Sequence, residues 1–115
     1  MSECREDLLR EALELLREAL LNYLASNCRK ILSLARLAQQ DRLRIELYGL
    51  FRYFSPSENF PRFMNALNYV IKCSSVDKLQ EVLRFIKLER NEWDERLSKL
   101  LYKVEDLEDI CKDLT

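Results

Sequence analysis

The groups with most chemistry to offer in this 115-residue chain are four cysteines and a run of carboxylates. Cys4, Cys28, Cys73 and Cys111 are scattered, with no C-x-x-C pair among them. Thiolates bind zinc tetrahedrally, but in a chain without histidine such a centre needs all four sulfurs to converge. The expected state is instead buried or free thiols in a reducing cytoplasm. The carboxylates of "EDLED" at 105–109 are hard oxygen ligands of the kind that hold Mg²⁺. On a helix Glu105, Asp106, Glu108 and Asp109 do not share one face, so a solvated surface is expected there and no metal. Without histidine, Ser-His-Asp triads and Cys-His dyads are excluded, and with one glycine, Gly49, so is a glycine-rich phosphate loop. Neither catalysis nor a cofactor is expected.

Charge is distributed unevenly. Residues 1–27 carry a net charge of −3, 28–55 of +4 and 105–115 of −4, around an overall −1. The positive block holds Arg29, Lys30, Arg36, Arg42, Arg44 and Arg52, beside Tyr48, Phe51, Tyr53, Phe54, Phe60, Phe63 and Tyr69. Arginine interleaved with aromatics grips single-stranded nucleic acid by phosphate pairing and base stacking. Arg36, Arg42, Arg44, Arg52 and Tyr53 are therefore candidate nucleic-acid contacts. Against this, the same aromatics have the spacing of a helical core, and a pI near 5.6 is low for a dedicated nucleic-acid binder.

These residues must be positioned by helices. One glycine and two prolines leave three candidate breaks: Ser26-Asn27, "SPSENFP" at 55–61, and Ser74-Ser75. Between them the spacing predicts helices and no strand, over roughly 2–25, 27–54 (with an interruption near 39–41), 61–73 and 75–114. Asn27 is a predicted N-cap, Ser55-Pro56-Ser57-Glu58 has the pattern of a capping box, and Ser74 or Ser75 caps the last helix. In that last segment Val76, Leu79, Leu83, Ile86, Arg90, Trp93, Leu97, Leu100, Val104, Leu107, Cys111 and Leu114 alternate steps of three and four. Such a pattern predicts one helix of about 57 Å with a coiled-coil-like seam, Arg90 being its single charge. The predicted fold is all-α, a single domain of four to five helices ending in this long one. No apolar run approaches the about 20 residues of a membrane span, and "MSECREDLLR" lacks the apolar stretch of a secretory leader.

The segment "ENFPRFMNALNYVIKCSSVDKLQEVLRFI", 58–86, resembles the closing helices of death-fold modules, the death-effector and caspase-recruitment domains. Those domains place aromatic and leucine residues at this spacing, ahead of an Asp-Leu motif that falls here on Asp77, Lys78 and Leu79. The resemblance covers about a quarter of the chain and implies an all-helical homotypic adaptor. Periodicity itself leads to a non-catalytic interaction or assembly subunit that binds protein partners, including itself, through helix packing. The expected contact is the distal seam, Trp93, Leu97, Leu100, Val104 and Leu107, with Arg90 setting register in an antiparallel dimer. A nucleic-acid-associated helical subunit is the alternative.

Overall fold

The computed structural model describes residues 4–114. Its elements are α1 (Glu6–Leu37), β1 (Arg42–Glu46), α2 (Leu47–Phe51), α3 (Phe63–Cys73), α4 (Val76–Leu83), β2 (Lys87–Glu89), a 3₁₀ turn (Glu95–Leu97), β3 (Lys99–Lys103) and α5 (Val104–Asp113). The protein is thus a mixed helix and sheet structure. The expected all-α bundle with a long C-terminal helix is overturned, and the long helix is the first one.

α1 runs through the expected break at Ser26-Asn27 because nothing there obstructs it. The Asn27 amide donates to the Tyr23 carbonyl one turn back instead of capping a new helix. Leu24, Leu32 and Ala35 then continue the buried stripe begun by Ala12, Leu13, Leu16, Ala19 and Leu20. At about 1.5 Å per residue its 32 residues span about 48 Å, matching the longest dimension of the molecule, 49 Å. α2, α3, α4 and α5 all pack on this spine. It stops in a Schellman motif: Gln40 N–H donates to the Ala35 carbonyl and Gln39 N–H to the Arg36 carbonyl, with Gln39 at φ 54°.

The chain then enters the sheet, whose strands are antiparallel in the order β1-β3-β2. Ile45, Leu100 and Leu88 lie side by side in register, and Leu43 lies beside Tyr102, forming the face that joins the core. The opposite face carries Arg44, Lys87, Glu46, Lys99 and Glu89 around Leu101. Arg44 reaches across β3 to Glu89, Nε to Oε1 at 2.6 Å. That contact holds the Glu89 carboxyl below its usual range, with Lys87 and Lys99 adding to the effect.

The predicted 75–114 helix ends at Leu83. Ser75 does cap its start, accepting from Lys78 N–H at 3.2 Å. Arg84 then turns left-handed (φ 64°) while donating its N–H to the Gln80 carbonyl, and Ile86 N–H donates to the Leu101 carbonyl. The Tyr102 hydroxyl closes the junction by donating to the Leu83 carbonyl at 2.8 Å. β3 buries Leu100, Leu101 and Tyr102 consecutively, as a central strand between β1 and β2 does and a one-sided helical seam does not. The six-helix arrangement implied by the death-fold resemblance is likewise corrected, although 63–83 does form two helices. Ser55–Glu58 caps no helix. It lies in a loop where Ser57 and Asn59 bind the Glu11 carboxylate and the Ser57 hydroxyl accepts from Phe60 N–H.

The cysteines are the other correction. Cys4 is bonded to Cys73 and Cys28 to Cys111, with Cα atoms 5.4 and 6.1 Å apart, and no thiol among the described residues is free. One bridge ties the chain's start to the end of α3, the other ties the middle of α1 to α5. Scattered positions in sequence become adjacent because α1 spans the whole molecule.

Candidate functional site

α2 is five residues long and begins directly after β1, where Leu47 N–H donates to the Ser98 carbonyl at 2.9 Å. Leu47 and Leu50 face the core. Tyr48 is left 58 % exposed on the other side, with Phe51 half-buried beside it. Gly49 lies against α1, where an added Cβ would make ordinary van der Waals contact with the Tyr23 ring at 3.5 Å. Two turns follow, Tyr53 N–H to Leu50 and Phe54 N–H to Phe51, and the loop returns to α3 through Pro56 and Pro61.

Between these segments lies a groove of about 410 Å³, lined by Tyr48, Phe51, Phe54, Pro56, Pro61, Arg62, Phe63, Met64 and Arg96. Its rings form a ladder: Tyr48 to Phe51 at 5.7 Å between centroids, Phe51 to Phe63 at 5.3 Å and Phe54 to Phe63 at 5.8 Å. Phe54 and Phe63 are buried, so the apolar floor is continuous with the core.

The β2–β3 loop forms the neighbouring wall and is braced by its own polar groups. Asn91 Oδ1 accepts from the N–H groups of Trp93 and Asp94, each at 2.9 Å, and Asn91 N–H donates to Ser98 Oγ at 3.0 Å. Asp94 accepts from the backbone and guanidinium of Arg96, which holds its carboxyl below the usual range. On this braced loop Trp93 is 94 % exposed.

The distal residues expected to form one seam are dispersed. Arg90 sits just after β2 and pairs with Glu95 at 3.5 Å, so the charge in the supposed seam faces water from a loop. Trp93 and Leu97 are exposed on the β2–β3 loop, whereas Leu100, Val104 and Leu107 are core residues. No helical face joins the five, which removes the antiparallel coiled-coil contact built on them. Among the candidate nucleic-acid contacts, Arg44 is held by Glu89 and Arg36 by Glu108 at 3.8 Å. Arg42 lines a depression shared with Asp41, Glu105 and Glu108. Arg52 is exposed after α2, and the Tyr53 hydroxyl faces the Asn27 amide, its ring edge-on to Tyr23. The groove residues that sequence reasoning missed as a site, Arg62, Met64 and Arg96, give no signal in sequence, because they meet only when α2, α3 and the β2–β3 loop converge.

Among the described residues no cluster of acidic or sulfur side chains has the geometry to hold a metal, and no helix is long and apolar enough to cross a membrane. Comparison with protein-family models, with curated proteins and with solved structures finds no match for this chain.

Proposed function

We propose that the protein is a non-catalytic interaction module whose contact surface is the aromatic groove together with the β2–β3 loop. The observation that carries this reading is Trp93. A loop in which side chains hold four backbone N–H groups presents the chain's one tryptophan almost wholly to water, on the same loop as Arg96, which lines the apolar groove. Tryptophan and tyrosine presented on rigid backbone are the side chains that dominate protein interfaces, because large contact area is gained with little loss of conformational freedom. The helix-packing interface expected from the sequence is replaced by a surface of loop and short-helix residues. The paired cysteines favour an oxidising setting over the reducing cytoplasm, and alkylation of thiols at the moment of cell lysis, followed by mass measurement, decides between them.

The test places a photo-crosslinking phenylalanine analogue at Tyr48, and separately at exposed Asn68 on α3, in the full chain within its source cells. The expected result is a protein adduct specific to position 48 that survives nuclease. Its partner then binds in a purified pair, about thirtyfold more weakly with Trp93→Ala. Equal adducts at both positions, or loss of the adduct on nuclease treatment, would overturn the reading.

A further inference from the structure

We infer that the groove between α2 and α3 receives an acidic segment of a protein partner, one that sets an aromatic or large aliphatic side chain among its carboxylates. This deepens the protein-binding reading and rests on it. The groove's size, about 410 Å³, falls in the range of pockets that enclose a small ligand, roughly 300–1,000 Å³, and its floor of phenylalanine rings suits one apolar anchor.

Charge identifies the rest of the occupant. Two guanidiniums, Arg62 and Arg96, line the groove, and among the described residues no carboxylate does. Four other depressions on the described surface each contain at least one carboxylate: Asp113 in one, Glu6 and Glu14 in a second, Asp7, Glu11 and Glu14 in a third, and Asp41, Glu105 and Glu108 in a fourth. Arg62 is exposed and its guanidinium has no hydrogen-bond or ion-pair partner among the described residues. Arg96 gives Nε and Nη2 to Asp94, which fixes the plane of the guanidinium and leaves Nη1 for a ligand. A pre-oriented and an unpaired arginine at the rim of an apolar floor complement an acidic peptide with an anchor. A single nucleic-acid strand needs a longer file of cations to follow its phosphates than the two arginines that line this groove.

The full chain serves as bait for a displayed library of random dodecapeptides, and enriched sequences are remade as synthetic peptides for binding measurements. Enriched peptides are expected to be net negative with an aromatic or aliphatic anchor. Arg62→Glu should weaken them about tenfold, and raised salt should weaken them measurably. Tyr48→Asp should abolish binding. Both positions are exposed, so the variants fold, and circular dichroism checks that they do. Enrichment of basic or uncharged peptides, binding indifferent to Arg62→Glu and Tyr48→Asp, or an oligothymidylate bound at the groove as tightly as the best peptide would overturn the inference. An unenriched library alongside a position-48 cross-link would remove the acidic segment and leave the interaction module standing. Failure of both would remove the module as well.

Discussion

At position 102 a tyrosine is wholly buried, and its hydroxyl donates to a helix-terminal carbonyl that nothing else caps. Burial pushes its ionisation far above the ordinary value of 10.0, because a phenolate there would lose its water, and the nearby Arg84 cation offsets this only in part. A group whose folded form holds its proton more tightly contributes stability below the unfolded value and loses it above. Stability should therefore fall as pH rises beyond about 10, and Tyr102→Phe should make that fall shallower. The same variant leaves the Leu83 carbonyl unpaired, so it should cost about 1–3 kcal/mol at neutral pH in denaturant melts. The carboxyls of Glu89 and Asp94 shift the other way, each lowered first by its arginine's hydrogen bond. Their contribution is present above their ordinary values of 4.5 and 3.8 and is lost as pH falls through the lower folded ones. Glu89→Gln combined with Asp94→Asn should flatten the acid limb of a melting-temperature profile below about pH 4.5, and an unchanged limb would mean that solvent screens both pairs.

Among the elements, two helix ends are held by residues poorly suited to them. Gln39 after α1 and Arg84 after α4 both take left-handed backbone, at φ 54° and 64°, where a Cβ is strained and glycine is not. Gln39→Gly and Arg84→Gly should each raise stability by about 0.5–1 kcal/mol in denaturant melts. A loss of stability at either position would show that its side chain contributes more than its backbone costs. These two residues also explain why helix stops were hard to read. Neither is a breaker, and α4 ends because β3 offers the Ile86 N–H and the Leu83 carbonyl better partners than another helical turn would. β1 is different. Its alternation, Leu43 and Ile45 between Arg42, Arg44 and Glu46, is a strand pattern present in the sequence, masked by the helical spacing of the leucines on either side.

Over the whole molecule, the two disulfides interleave, closing separations of 69 and 83 residues that overlap between Cys28 and Cys73. On the loop-entropy account each closure restricts the unfolded chain by about 4 kcal/mol, less for the second because the loops share residues. Reduction should thus lower the denaturant midpoint substantially. Cys4→Ala with Cys73→Ala should free the chain's start and α3, while Cys28→Ala with Cys111→Ala should loosen α5 on the spine. Identical melts with and without reductant would show that the sulfurs are unbonded in solution.

Local features were decided by the sequence itself: the amphipathic stripe of α1, the extent of α3, predicted over 61–73 and found over Phe63–Cys73, and the Ser75 cap of the next helix. Each depends on neighbours within a turn or two, where spacing and hydrogen-bonding chemistry suffice. The three-four leucine pattern after residue 83 is ambiguous by the same logic, since a short apolar run suits a helix seam or a strand buried on both faces. Only tertiary structure resolved it, because Leu100 and Leu101 pair with Ile45 and Arg44 of β1, which lies far away in sequence. The cysteine pairs and the groove belong to the same class. Arg62 and Arg96 are 34 positions apart, and they line one groove only because α2, the loop to α3 and the β2–β3 loop are brought together by burial of the residues between them.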